Sequence, residues 1–184
     1  MRKHDYLEVN RLRLFYAFNF SEDTRKKIIT LRDELQANSF QGNFTLDSNL
    51  HMTLAFLGEC DTRKTATAIN VLSELDFSPK TVCMDRIGCF RRADGDTWWV
   101  GVAENKALAA MHHQLTEDLR RVGFALEKRS YLPHITIGRE VVTSTTPRSF
   151  EPFYEEIFSL ELMKSERREG VLTYTEIHSK ESTG

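Results

Sequence analysis

Two copies of one short pattern stand out in this sequence: HMTL at residues 51–54 and HITI at residues 134–137. Successive side chains of a β-strand point to opposite faces, so each copy places a histidine and a threonine on one face and two apolar side chains on the other. Two such strands facing each other would hold two imidazoles across one cleft. Because histidine exchanges protons near neutral pH, this arrangement predicts acid–base chemistry at a bond between the two rings.

The composition of the chain argues against coincidence. With six histidines and 40% hydrophobic residues, chance predicts about 0.09 copies of the pattern, and two copies are expected in roughly one shuffled chain in 250. We therefore interpret the pair as a functional signal.

The elements around the two copies repeat as well. A strand-like run precedes each copy, at residues 12–18 and 98–102, and a helical stretch follows each run. Phe15 and His51 are 36 residues apart, and so are Trp98 and His134. This spacing predicts an internal duplication in which each half supplies a strand, a helix and a His-bearing strand.

Apolar periodicity and capping residues predict the other elements. Helices are expected after the N-cap Ser21, over residues 62–75, and from Asn105 to Gly123. Alternation predicts strands over residues 49–57, 82–90, 131–139, 153–164 and 171–178, with the last two as an antiparallel pair. We expect an α+β fold in a single domain spanning residues 1–184. Two pseudo-symmetric, intertwined lobes, each with a largely antiparallel sheet and helices outside, should enclose a central cleft.

The charge of the chain limits how it could contact nucleic acid. The formal net charge is −2 over 184 residues, without the overall basicity of a protein that coats nucleic acid. Any RNA contact should be local, at an end or a phosphate. Adjacent basic residues occur at 91–92, 120–121, 128–129 and 167–168, and most such pairs lie on solvated faces.

Cysteine usage and hydropathy indicate the compartment. Cys60, Cys83 and Cys89 are odd in number and lack CxxC spacing, which favours reduced thiols over a disulfide framework or a zinc site. Residues 1–13 are charged and contain no apolar segment typical of a secretion signal, and no run reaches the length of a membrane span. The expected location is the cytoplasm, with no membrane partner.

Longer stretches around both motifs resemble a known family. LHMTLAFLG (50–58) and PHITIGR (133–139), supported by RLFYAF (13–18), WWVGV (98–102), Gly170 and Tyr174, are similar to the 2H phosphoesterases. The closer resemblance is to their bacterial and archaeal RNA 2',3'-cyclic phosphodiesterase branch, also called the 2'-5' RNA ligase family. The resemblance covers nearly the whole chain, although its short motifs identify the superfamily better than the substrate.

The resemblance implies a hydrolase of RNA processing that opens 2',3'-cyclic phosphate ends to 2'-phosphomonoesters. It implies that His51 is the proton donor to the leaving 3'-oxygen and that His134 is the proton acceptor from water. The reverse of the same proton transfers would join a cyclic phosphate to a 5'-hydroxyl as an ATP-independent 2'-5' ligation. Such a site needs neither a metal nor another cofactor.

Five further residues are expected to bind substrate. The hydroxyls of Thr53 and Thr136 can donate to nonbridging phosphate oxygens. The resemblance implies a phosphate contact for Arg139, which ideal strand parity puts on the face opposite His134, so a strand end or a bulge is required. Phe56 and Tyr174 could stack on a base, although Phe56 shares strand parity with residues 52 and 54 and would then pack in the core.

Other interpretations remain open at this stage. The same chemistry could act on a small cyclic nucleotide or on an ADP-ribose cyclic phosphate. A non-catalytic module that binds RNA ends is a different class, which the two intact His-Thr pairs disfavour because a binder needs no titratable pair. His112 and His113 lie on a helix facing different directions, and we expect no metal site there. The chain is expected to act as a monomer without a required protein partner.

Overall fold

The computed structural model describes residues 11–78, 80–128 and 130–183. Within these ranges the elements are, in chain order, β1 (Leu12–Phe18), α1 (Glu22–Ala37), β2 (Ser39–Phe44), β3 (Met52–Cys60), α2 (Thr62–Glu74), β4 (Lys80–Phe90), β5 (Asp96–Val102), α3 (Lys106–Arg121), β6 (His134–Thr143), β7 (Arg148–Ile157), β8 (Ser159–Arg168) and β9 (Val171–Glu181). A short 3-10 turn, Asp47–Asn49, precedes β3.

The strands of the described residues form one open antiparallel sheet with the order β7-β4-β5-β6-β3-β1-β8-β9, and β2 pairs with β6 beside this path. Read outward from the centre, one half is β3-β1-β8-β9 and the other is β6-β5-β4-β7. Each half begins with a His-bearing strand, followed by the strand that starts the duplicated unit. The expected α+β fold of two pseudo-symmetric antiparallel lobes is therefore confirmed.

The helices cover one face of this sheet. Each begins at a side chain that accepts a hydrogen bond from a backbone N–H three residues on: Ser21, Asp61 and Asn105, which satisfies one of the unpaired donors of a helix start. Their apolar stripes, such as Leu108, Met111, Leu115 and Leu119 in α3, are buried against the sheet. The opposite sheet face is left for the His-Thr pairs.

Some strand predictions need correction, and one strand was not predicted. Residues 153–164 do not form one strand, because the chain breaks at Phe158 and passes from β7 to β8, which lie in different halves of the sheet. The last strand pair is β8 with β9. β6 begins at His134 and runs to Thr143, later than expected at both ends. β2 was not expected, since its sequence SFQGNF lacks a regular apolar alternation.

Some sequence expectations concern residues that the structure does not describe. They are the N-terminal residues 1–10, the proposed helix–strand break at Pro79, and Arg129 of the basic pair 128–129. Among the described helices, none combines the length and the apolar character needed to cross a membrane.

Candidate active site

The two His-bearing strands meet at the centre of the sheet. Met52 of β3 pairs with Ile135 of β6 in antiparallel orientation, and both side chains are fully buried in the core. The antiparallel direction brings His51 to the side of Thr136 and His134 to the side of Thr53. Both His-Thr pairs thus line the same face at the junction of the two lobes.

Hydrogen bonds define the tautomer of His51. Its Nδ1 lies 2.7 Å from the backbone oxygen of Asn49, and its Nε2 lies 3.0 Å from Oγ1 of Thr53. A carbonyl oxygen only accepts, so Nδ1 carries the proton and Nε2 accepts from the Thr53 hydroxyl. The atom that faces the threonine is therefore the one available for proton exchange.

Aromatic side chains enclose His51. The ring of Phe15 lies 4.9 Å from the imidazole, and the ring of Tyr174 meets it edge-on at 4.9 Å. Burial, the largest cause, and the charges of Arg139 and His134 together lower the pKa of His51 to about 4, against an opposing effect of the Asn49 carbonyl. The ligand-free protein thus holds His51 neutral at pH 7.

His134 repeats this arrangement in the second lobe. Its Nδ1 lies 2.7 Å from the backbone oxygen of Leu132, the carbonyl two residues upstream, as in His51. Phe90 meets its ring edge-on at 5.2 Å, and the Trp99 ring lies 6.2 Å away. In both imidazoles Nδ1 is therefore the nitrogen that contacts the backbone two residues upstream.

Equivalent β-bulges bring Phe56 and Arg139 to the histidine face. In β3 the register with β1 skips Leu54, and in β6 the register with β5 skips Ile137. Each bulge lies just after the motif threonine, so the side chain three residues beyond that threonine returns to the same face. Burial is the main cause of the lowered pKa of His51 and of the raised pKa of Tyr174, and the charge of Arg139 acts on both groups in the lowering direction.

Phe56 is therefore not a core residue. It is 46% exposed and its ring lies 5.4 Å from that of Phe15. The core-packing interpretation is wrong because it assumed unbroken strand alternation. Tyr174 is brought to the site by β9, where it pairs with Ser165 and packs edge-on against Phe15 at 5.0 Å.

Strand pairing also refines the repeat. Ala17 pairs with Thr53, and Trp99 pairs with Thr136, so the matched spacings are 36 and 37 residues. The equal 36-residue spacing had matched Phe15 with Trp98, but Trp98 is fully buried in the main core whereas Trp99 lies beside His134. A one-residue offset moves a side chain to the other face of a strand.

Two positioning residues were missed from the sequence. Asn49 orients His51 through its backbone oxygen, and its side chain donates to the Leu172 oxygen at 2.8 Å, tying β9 to the start of β3. Arg25 of α1 donates to the backbone oxygens of Asp47 and Leu50 at 2.7 and 3.2 Å. Neither residue belongs to a motif. The role of Asn49 could have been inferred only from its position two residues before His51, and nothing in the sequence indicated Arg25.

The other histidines that the structure describes, and several arginines of the basic pairs, contact residues outside the two motifs. His112 stacks on Tyr131 at 4.1 Å, His113 is exposed on α3, and His178 contacts Ser73 at 3.0 Å. Several arginines of the basic pairs form ion pairs with neighbouring carboxylates, as expected for solvated faces: Arg91 with Asp96, Arg120 with Glu117, Arg121 with Asp118, and Arg168 with Glu166.

Comparison with known proteins agrees with this geometry. The sequence model of the 2'-5' RNA ligase superfamily matches residues 15–170. A protein of Archaeoglobus fulgidus named RNA 2',3'-cyclic phosphodiesterase is 32% identical over 130 residues, covering 70% of this chain and 72% of that protein. One of the same name from Thermotoga maritima is 28% identical over 149 residues, covering 79% and 78%.

Solved structures share the fold. The crystal structure of Escherichia coli LigT complexed with 3'-AMP superposes with a TM-score of 0.82 at 24% identity, over 95% of this chain and 100% of that chain. The chain belongs to the 2'-5' RNA ligase superfamily.

Proposed function

We propose that this protein is an RNA 2',3'-cyclic phosphodiesterase that hydrolyses the cyclic phosphate at an RNA end to a 2'-phosphomonoester. The observation that carries the proposal is the pairing of Met52 with Ile135, which sets two His-Thr pairs on one face across a pseudo-twofold axis. The relatives from A. fulgidus and T. maritima are named for this activity. Hydrolysis of a cyclic phosphate needs one proton removed from the attacking water and one supplied to the leaving ribose oxygen on the opposite side of phosphorus.

In the proposed mechanism His134 accepts a proton from water as the water oxygen attacks phosphorus. The bond from phosphorus to the 3'-oxygen breaks, and His51 donates a proton from Nε2 to that oxygen. The 2'-oxygen keeps the phosphate. Thr53 and Thr136 donate to the nonbridging oxygens, where negative charge accumulates, and Arg139 adds two donors in a fixed fork.

The acid role requires a proton that ligand-free His51 does not hold at neutral pH, since its pKa is lowered to about 4. The substrate supplies the missing condition. A phosphate anion beside Nε2 favours the imidazolium, and it can replace Thr53 Oγ1 as the partner of that nitrogen. Protonation of His51 is therefore coupled to substrate binding in this proposal.

Aromatic side chains at the edge of the cleft can stack on the nucleobase of the substrate. Phe56 has an exposed ring face, and stacking on it would accept any base. Tyr174 contributes mainly by enclosing His51, because its ring already packs edge-on against that imidazole. The reverse reaction, attack of a 5'-hydroxyl on the cyclic phosphate, uses the same groups and would give a 2'-5' linkage.

We also propose that the protein acts as a single unit of two lobes and as a monomer, because one chain supplies both histidines. Its three cysteines are free thiols, which fits a reducing compartment, and we place the enzyme in the cytoplasm. Light scattering of the purified protein tests the oligomeric state.

The test of the proposed function is incubation with an oligonucleotide that ends in a 2',3'-cyclic phosphate. We expect a product that co-elutes with a synthetic 2'-phosphate standard and contains one oxygen from the solvent. The exposed His113→Ala variant on α3 serves as a control and should match the wild type. An unchanged substrate would refute the proposal, and a 3'-phosphate product would refute the assigned orientation of the ribose.

A further inference from the structure

A second arginine shares the face of His134 but lies outside the site described above. Arg86 of β4 pairs with Gly101 of β5, and Gly101 pairs with His134 of β6. Directly paired residues of an antiparallel sheet point to the same face. Arg86 and His134 therefore belong to one row, with their backbones two strands or ~10 Å apart.

The residue between them has no side chain, and Arg86 occupies the space this leaves. A Cβ atom added to Gly101 would lie 2.9 Å from both Cγ and Nε of Arg86 and 2.8 Å from the ring of Trp99. The Arg86 side chain thus lies over β5 at Gly101, on the strand between its own and that of His134. Only glycine at position 101 permits this path without displacing one of its neighbours.

Two hydrogen bonds hold the guanidinium in place. One terminal nitrogen donates to the Asp85 carboxylate at 2.6 Å, and the other donates to the backbone oxygen of Val102 at 3.0 Å. A guanidinium has five N–H donors in a planar fork, and the Arg86 side chain is 34% exposed. The group is therefore oriented by the fold and still partly exposed to a ligand.

The position of Arg86 differs from that of Arg139. Arg139 follows Thr136 along β6, whereas Arg86 lies on β4, two strands from His134 across the sheet. A nucleotide at an RNA end carries two phosphates, the cyclic one and the phosphodiester on its 5'-oxygen. Two arginines on different sides of one histidine match two phosphates on different sides of one ribose.

We propose that Arg86 binds the 5'-phosphate of the nucleotide whose cyclic phosphate lies between the histidines, and that it thereby selects RNA ends over nucleoside cyclic phosphates. The inference rests on the proposed function. If Arg86 instead served only to join Asp85 to the Val102 backbone, its removal would affect ligands with and without a 5'-phosphate equally.

Calorimetric titration separates these possibilities. Adenosine 2'-phosphate and adenosine 2',5'-bisphosphate are titrated into the wild type, Arg86→Gln and the control Arg120→Gln, whose arginine is comparably exposed and ion-paired to Glu117. The 5'-phosphate should tighten binding about tenfold in the wild type and the control, and less than twofold in Arg86→Gln. An equal gain in all three proteins, or no gain in the wild type, overturns the inference.

If Arg86→Gln does not fold, an NMR measurement on the wild-type protein tests the same inference. The Nε–H resonance of Arg86 in wild-type protein should shift on addition of the bisphosphate and much less on addition of the 2'-monophosphate. Equal shifts contradict the inference.

Hydrolysis assays distinguish failure of the inferred role of Arg86 from failure of the proposed function. Adenosine 2',3'-cyclic phosphate is compared with its 5'-phosphorylated form. Hydrolysis of neither compound by the wild type contradicts the proposed function. Hydrolysis of both, with the same loss of kcat/KM in Arg86→Gln, contradicts only the role of Arg86.

Discussion

Binding of a phosphate monoester in the cleft should raise the pKa of His51 back toward its ordinary range. In the ligand-free protein, burial beside Phe15 and Tyr174 and, to a smaller extent, the charges of Arg139 and His134 together lower that pKa to about 4. Relative to an ordinary histidine with a pKa of about 6.5, protonation of His51 is roughly 300-fold less favourable.

The distance between His51 and Thr53 sets the size of the opposing effect. Oγ1 of Thr53 lies 3.0 Å from Nε2, so a phosphate oxygen in its place puts the phosphate charge about 4 Å from the ring. At an effective dielectric constant of about 20, a unit charge at that distance contributes ~4 kcal/mol. This favours protonation by roughly a thousandfold, enough to offset the burial.

Histidine ring resonances measured by NMR as a function of pH test this prediction directly. His51 should titrate near 4 in the free protein and substantially higher with saturating adenosine 2'-phosphate. His112 is the internal control, because burial also lowers its pKa but its ring stacks on Tyr131 rather than on a residue of either motif. A His51 titration that does not move on ligand binding, or one that moves together with His112, would refute the reasoning.

Three further predictions concern the same cleft. Thr53→Ala and Thr136→Ala should each lower kcat by roughly tenfold to a hundredfold, since each removes one donor to a charged oxygen; losses below twofold in both variants would contradict the donor role. Hydrolysis should survive exhaustive chelation, because the chain supplies the proton transfers and the phosphate donors; loss with EDTA and recovery with one divalent ion would contradict it. The free energy of unfolding should fall by up to ~3 kcal/mol as the pH drops from 6.5 to 4. Over this range the unfolded chain takes up a proton on His51, whereas the folded protein keeps the ring neutral because its pKa is lowered to about 4. Urea unfolding of the wild type and His51→Gln checks this, and identical pH dependence in both proteins would contradict it.

The shared face of the His-Thr pairs could be predicted from sequence because it depends on local alternation. His51 and Thr53 share a face in any regular strand, as do His134 and Thr136. The duplication then predicted that both pairs would come together. The lobes and their antiparallel sheets followed from the same repeat, although matching Phe15 with Trp98 was off by one residue.

The faces of Phe56 and Arg139 could not be predicted in the same way. They depend on bulges at Leu54 and Ile137, and a bulge is a property of the register between two strands. The sequence required either a strand end or a bulge for Arg139 to reach the phosphate, and it neither decided between them nor located the bulge at Ile137.

Contacts between distant segments were equally inaccessible from sequence. The hydrogen bond from Asn49 to Leu172 joins residues 123 positions apart. It connects β9, the strand that carries Tyr174, to the start of β3. The break at Phe158 has no glycine or proline to mark it, so the division between β7 and β8 emerged only from the sheet order.

The central claim is that His51 and His134 act as acid and base on one phosphate. The most direct measurement compares His51→Ala and His134→Ala on the natural cyclic phosphate and on a phosphodiester with a nitrophenol leaving group. Both variants should lose turnover of the cyclic phosphate by ~10²-fold or more. Because nitrophenolate leaves without a proton, the activated substrate should restore His51→Ala to near wild-type turnover and leave His134→Ala impaired. Rescue of His134→Ala instead would reverse the two roles, and near-normal turnover of the cyclic phosphate by either variant would contradict the two-histidine mechanism.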